Sequence, residues 1–334
     1  MTAYTASNGT IVADLTALRA IPSTDLPASG FVVLLVASEN SWFEYNPTLT
    51  SGDATPINNP TTGRWLRIGR DKLTANRTYF VRTDGSDANT GLVNNSGGAF
   101  LTWAYAISIL ATLDGNGFFA TIKGSGTFSS TNNCIIDKTF TGLSKIVIEG
   151  DVSTPSNCTI NAPPSNFDVA IGVNTATPIE IKGIKFTSSA TSTPCVLLAI
   201  FRGVASIVGY CEFTNAGTGN HIYVTGNQSQ LKILSNYMIN GGGAVHLSVF
   251  DQGLIESIVS GGFANTISGS PSFGASFATA QRAGSMTLLN ITYSGSSTGT
   301  QYSVGALAGI WALGTTVFAG SIAGTADSKG FYGS

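Results

Sequence analysis

Histidine and charge are what this chain has least of. Its 334 residues include two histidines, three methionines and four cysteines, and Lys, Arg, Asp and Glu together make up 10%. An ordinary globular domain carries about a quarter charged residues. A surface this poor in charge has to be built from Ser, Thr, Asn and Gly, and glycine alone numbers 40. Few groups are then left for acid-base catalysis. The formal net charge of −2 comes without a basic run or face, so no nucleic-acid partner is expected. Cys134, Cys158, Cys195 and Cys211 lack CxxC spacing and read as small buried hydrophobes, so neither a metal finger nor a redox pair is expected and no cofactor is implied. No run reaches the 18 or so apolar residues of a membrane span, the nearest being the glycine-rich VGALAGIWALG from Val304, so no membrane insertion is expected. The opening MTAYTASNGTIVADL has neither a basic nor an apolar leader region, which predicts synthesis in a cytoplasm without a secretory signal.

What the chain does have is a repeat. One phrase recurs through its second half: IEIKGIKF from Ile179, ASIVGYCEF from Ala205, LKILSNYMI from Leu231, LIESIVSGGF from Leu254, MTLLNITY from Met286 and WALGTTVF from Trp311. Taking Phe186, Phe213, Ile239, Phe263, Tyr293 and Phe318 as equivalent gives steps of 27, 26, 24, 30 and 25 residues. A unit of about 25 residues with alternating apolar positions cannot bury its apolar face alone and has to stack on its neighbours. The economical solution is a mainly β protein, a parallel solenoid with coils about 4.8 Å apart.

Residues 1 to 72 do not share the repeat. A short helix from Asp14 to Ala20, stopped by Pro22, and strands at Gly30–Val36, Ser41–Tyr45 and Arg64–Gly69 make a small N-terminal α+β head. The charged run RDKLTANR from Arg70 is the candidate linker, with 73–77 as its core. Residues 78–334 form the solenoid domain. It opens on the strand YFVRT, the turn DGSD from Asp84 to Asp87, a polar loop, and an amphipathic helix whose Trp103, Ala106, Ile107 and Leu110 share one face. Asp84 and Asp87 suit either a calcium ion or, more simply, an Asx-type turn, since a third carboxylate is missing.

The strand, DGSDxNxG and T-x-x-x-A-I helix resemble the opening of the right-handed single-stranded parallel β-helix of pectate-lyase-like proteins, where the helix caps the first coil. The segment TASNGTIVADLTALRAIPSTDLP, with SWFEYNP and PTTGRWLRI, is similar to the virion-attachment module of bacteriophage tail proteins. Together these resemblances imply a phage tailspike or tail fibre: a homotrimer made in the host cytoplasm and carried on the virion, docked by its head on a tail or baseplate adaptor protein, and recognising a bacterial surface polysaccharide with its β-helix. Calcium-assisted elimination, known in some pectate-lyase-like proteins, is not carried over, because no carboxylate cluster stands in the coils.

Laying the coils on one another aligns Val169, Val196, Ile222 and Leu247 as inward positions, and likewise Ile171, Leu198, Val224 and Val249. Strand side chains alternate faces, so Asp168, Cys195, His221 and His246 form one outward column and Tyr223 stands in the next. Asp168, His221, Tyr223 and His246 are therefore the candidate substrate-binding strip, with Tyr223 as the platform for a sugar ring; a subunit interface is the alternative for the same strip. No catalytic residue is assigned. After residue 160, Glu212 stacks beside Lys185 and Glu256 beside Lys232 as ion pairs, and with the C-terminal Asp327 set aside this leaves Asp168, Glu180 and Asp251 on different columns or distant rungs, too scattered within one subunit for the carboxylate pair a glycosidase requires, though a site shared between subunits escapes this objection. Adsorption without cleavage is thus the leading reading. The alternatives are a polysaccharide depolymerase, a hydrolase or lyase, and a structural tail adaptor with no glycan contact.

Overall fold

The computed structural model describes residues 10–13, 17, 20–21, 32–36, 41–46, 56–58, 64–68 and 70–334, the last range without 166–167, 260 and 306. The chain divides into two compact units, Met1–Leu73 with Thr112–Asp114, and Thr74–Ala111 with Gly115–Ser334. In the first unit, Val32–Val36, Ser41–Asn46 and Arg64–Ile68 are strands, as the apolar runs predict. Antiparallel pairing joins the second to the other two, while Thr10–Val12 adds in parallel to Val32–Val36. Asp71–Lys72, inside the charged run, pair with Leu113–Asp114. The helix expected from Asp14 to Ala20 lies largely outside the described residues.

The second unit is mainly β, and its strands pair in parallel along three ladders that the chain visits in the same order on every turn. The first ladder begins at Arg77–Arg82, Ala120–Phe128 and Ile146–Glu149. It continues through Ile179–Lys182, the second half of Val196–Ile207, and Ser229–Ile233. A second ladder includes Cys158–Ala162, Lys185–Ser188, Glu212–Phe213 and Met238–Ile239. The third includes Val169–Asn174, the first half of Val196–Ile207, Asn220–Thr225, Gly243–Phe250 and Phe273–Ala280. Each strand bonds to the strand one turn later, an arrangement compatible with a β-helix. The core is the interior between the ladders, where Ile, Val, Leu and Phe from successive turns stack in columns such as Ile171, Leu198, Ile222 and Leu247, all fully buried.

Two registers differ from the alignment made on sequence. Ile239 pairs with Ile267, not Phe263, and Phe263 pairs with Ile291. The column Phe186, Phe213, Ile239, Ile267 thus steps by 27, 26 and 28 residues. Phe263 is half-buried at the start of its strand, so an aromatic there is no marker of the inward anchor. In the third ladder Ile222 pairs with Leu198, two residues from the expected Val196, which itself faces Asn220. Val169 and Val196, expected inward, pack on the outer face with Ala199 and Tyr223, so here the slip changes the face as well as the neighbours.

At the opening of the second unit the helix Trp103–Ala111 forms as expected, with Trp103, Ala106, Ile107 and Leu110 buried. Thr102 caps it, its Oγ1 accepting from the Tyr105 amide at 3.1 Å. Asp87 holds the cap: its carboxylate accepts from the Leu101 and Thr102 amides at 2.9 Å and from Thr102 Oγ1 at 2.7 Å. Asp84 pairs with Arg82 at 2.8 Å. The DGSD carboxylates are therefore engaged in an ion pair and a helix cap, and among the described residues no group of three or more His, Cys, Asp or Glu is placed to hold a metal ion.

Candidate functional site

The four residues expected on one outward strip do not share it. Asp168 is exposed and bonded to Ser165 Oγ, but it lines up with Cys195 through Val196 N and the Asp168 carbonyl, away from both histidines. His221 and His246 do sit on adjacent turns, yet both are fully buried inside the coil. The reason is a local failure of alternation. Pairing runs from Val196–Asn220 to Leu198–Ile222 and leaves out Leu197 and His221 between them. His221 and Ile222 then both turn inward, as do His246 and Leu247 on the next turn.

Inside, the histidines are links in one chain of hydrogen bonds. His221 Nε2 lies 3.3 Å from the Gly242 carbonyl, and His221 Nδ1 is 3.0 Å from His246 Nδ1. His246 Nε2 is 2.9 Å from Tyr237 Oη, which is 3.0 Å from Tyr293 Oη. Phe213, Phe273 and Phe277 pack around these rings. Burial lowers the His221 pKa to about 4 against the bonds to the Gly242 and Thr214 carbonyls, and burial, then the neighbouring His221, takes His246 well below its ordinary value. Burial raises both tyrosines. All four rings are therefore neutral at pH 7, and one anchor fixes every proton. A carbonyl only accepts, so His221 carries its proton on Nε2 and accepts at Nδ1; His246 donates from Nδ1 and accepts at Nε2; Tyr237 donates to His246 and accepts from Tyr293. The chain is a satisfied core network. It offers neither a base to a ligand nor a stacking face to solvent.

Tyr223, the predicted aromatic, does lie on the outer surface, and it is half-buried there. Its ring packs on Val169, Val196 and Ala199 with Ile135, a small apolar cluster. Its ring centroid is 5.5 Å from that of Phe250, and the Arg282 guanidinium lies 5.0 Å from the Phe250 centroid. Asp251 fixes Arg282 through contacts of 2.8 and 2.9 Å and accepts from Thr225 Oγ1 at 3.0 Å. Ser248, beside Tyr223 in the ladder, has a buried hydroxyl with no protein partner. Phe201, 43% exposed, extends the face beyond Gly172, where a Cβ would stand 3.8 Å from its ring. Phe201, Phe250 and Arg282 were not anticipated from sequence. A signal was present: on a strand read from Tyr223 and Ser248, Phe250 is the next residue of the same parity.

A second feature is a polar groove of about 740 Å³ over the early turns, lined by Asn94, Lys123, Ser125, Glu149, Asp151 and Asn157 among others. Glu149 bridges Lys123 at 2.7 Å and Lys182 at 2.9 Å on the turns either side. Burial raises its pKa, but the two lysines outweigh that and leave it lowered. Asp151 is held low by Asn157 and by the amides of Thr154 and Ser153. A general acid for glycoside cleavage has to hold its proton near neutral pH, and both carboxylates are tuned the opposite way. Three further acids are held in ion pairs. Lys185–Glu212 and Lys232–Glu256 pair across the ladders as expected, at 3.3 and 3.4 Å, and Glu180, left unpaired on sequence, meets Lys145 at 2.9 Å.

No protein-family model, no curated protein and no solved structure matches this chain.

Proposed function

We propose that this chain is a bacteriophage tail appendage, a tailspike or tail fibre, that adsorbs to a bacterial surface polysaccharide without cutting it. In this reading the coils form a right-handed, pectate-lyase-like parallel β-helix, the hand that nearly all parallel crossovers take. Residues 1–72 are the head that docks on a tail or baseplate protein, and the assembled form is a homotrimer on the virion. The observation that carries the glycan reading is the Tyr223–Phe250–Arg282 face. Aromatic planes on a rigid sheet match the apolar C–H face of a sugar ring, and Asp251, Arg282 and Thr225 beside them supply directional hydrogen bonds. Binding is favoured over depolymerisation because Glu149, Glu180, Glu212, Glu256 and Asp251 are each held in an ion pair.

The test separates the aromatic face from the packing beneath it. Tyr223→Leu keeps aliphatic contact with Val169, Val196 and Ala199 while removing the π face. Adsorption to polysaccharide-bearing host cells should fall about tenfold or more with the melting temperature shifted by only about 2 °C, since leucine keeps the aliphatic contact and the part of the ring it loses is half-exposed. Adsorption at the unmodified level would remove this face from the reading. Release of new reducing ends or unsaturated uronate from the glycan would replace binding with cleavage.

A further inference from the structure

Over five turns from Val208 to Leu313 the end of the first-ladder strand carries an aliphatic residue on its outer side, where the earlier turns carry Glu149 and Lys182. Ile207 pairs with Ile233, and Val208 and Leu234 follow them, joined through the Leu234 amide and the Ile207 carbonyl at 2.9 Å. Lys232 pairs with Glu256, which sets Leu234 beside Ile258; Ser257 pairs with Leu288, which sets Ile258 beside Leu289; and Leu289 pairs directly with Leu313. Val208, Leu234, Ile258, Leu289 and Leu313 thus form one straight column over five successive turns, about 19 Å long at the spacing of paired strands. Leu234 is 40% exposed, Ile258 61% and Leu313 38%, with Val208 and Leu289 half-buried. Toward its last turn the column widens, because Trp311, 37% exposed, lies two residues before Leu313 with its ring 5.5 Å from that of the half-exposed Phe331. A protein with so many Ser, Thr and Asn at its disposal places none of them in these five positions.

We infer that this column is the surface along which a second copy of the chain packs, side by side and with its coils running parallel. Three properties choose that occupant. The strands beneath the column are already hydrogen-bonded to the turns on both sides, so an added peptide strand finds no free backbone there and a partner has to engage side chains. Those side chains recur at the strand spacing along a straight line, and a second stack of the same coils presents apolar groups at that same spacing over the whole length. The nearest charges are paired, Lys232 with Glu256 at 3.4 Å and Lys182, next to Val208 along the same line, with Glu149 at 2.9 Å, so two identical faces meet with little repulsion. The exposed apolar surface, with Trp311 and Phe331, comes to roughly 500 Å², over half of the about 800 Å² each partner of a stable pair buries. A saccharide is a poor occupant, since the column has no hydrogen-bonding group. The inference rests on the self-association in the reading above and assigns it a face, separate from the Tyr223 face of the third ladder.

Light scattering on the full chain at micromolar concentration should return a multiple of 34.4 kDa. The double variant Leu234→Glu, Ile258→Glu should return the single-chain mass with an unchanged far-ultraviolet spectrum. Ile258→Cys provides a second route that leaves the fold untouched. The four native cysteines are buried, so under mild oxidation this variant should give a covalent dimer on a non-reducing gel, whereas Thr218→Cys, exposed on a different bend, should stay monomeric on the gel. An unmodified chain that runs at 34.4 kDa overturns both the inference and the self-association it rests on. An unmodified oligomer whose double variant keeps its mass, or whose Ile258→Cys form does not cross-link, overturns this face alone. If the double variant fails to fold, the cysteine pair decides.

Discussion

The two histidines show how far a single side chain is governed by where its strand bends. Both are neutral inside the coil, and the unfolded chain protonates them near the ordinary value of 6.5 while folded His221 waits until about 4 and folded His246 is likewise held well below its ordinary value. Between those limits the unfolded state binds more protons, so stability is level above pH 6.5 and falls as pH drops from 6.5 toward 4. His221 alone accounts for about 3 kcal/mol of that loss by pH 4. Melting curves from pH 7.5 to 5, where the lowered carboxylates stay ionised, should show the decline already under way; a flat profile would mean that the imidazoles are not buried neutral. The direction of the hydrogen-bond chain makes a second prediction. Tyr237→Phe removes both the donor to His246 and the acceptor for Tyr293 in the middle of the chain, whereas Tyr293→Phe removes the donor at its end, beside Asn265. Urea unfolding should place Tyr237→Phe about 1–2 kcal/mol below Tyr293→Phe in stability, and the reverse order would overturn the proton assignment.

At the scale of the element, the bends between ladders matter as much as the strands. Gly183 holds φ +69° between Ile179–Lys182 and Lys185–Ser188, and a Cβ there would stand 2.7 Å from the Asp151 and Val152 backbone of the turn below. Gly183→Ala therefore combines left-handed strain with a clash between turns that no side-chain rotation relieves. Thermal melting should show it lowered by roughly 5 °C or more, far beyond the effect of an alanine at exposed Thr218. The buried stack of Phe186 on Phe213, with centroids 4.8 Å apart and planes 5° from parallel, predicts that Phe213→Ala costs about 3–5 kcal/mol, since the neighbouring turns are hydrogen-bonded and cannot collapse into the space. Loss of less than about 1 kcal/mol in denaturant unfolding would mean that the turns slide to fill it.

For the whole molecule, the near-absence of charge and the regular apolar columns point the same way. With a formal net charge of −2 and Glu149, Glu180, Glu212, Glu256 and Asp251 each paired to a cation on a neighbouring turn, little long-range repulsion keeps copies apart. Packing along the Val208–Leu313 column links folding to association, so the melting temperature should rise with chain concentration, on the order of 5 °C between 1 and 100 μM, and the Leu234→Glu, Ile258→Glu variant should lose that dependence.

The sequence by itself determined the repeat, and with it the parallel stacking. A unit of about 25 residues with apolar alternation has no other way to bury its face, and the Lys185–Glu212 and Lys232–Glu256 pairs follow from that stacking, while the helix over Trp103–Ala111 follows from its own apolar spacing. Only the tertiary structure decided register and face. Coil length varies, so the chain admits alignments two or four residues apart, and choosing between Phe263 and Ile267 as the partner of Ile239 requires the hydrogen bonds themselves. Alternation also breaks where a ladder begins, because the chain is turning a corner and two consecutive residues can point inward. His221 and His246 stand at that corner, which is why a rule of strict alternation places them on the surface and the folded coil places them in its core, while Tyr223, two residues further into the strand, keeps its outer face.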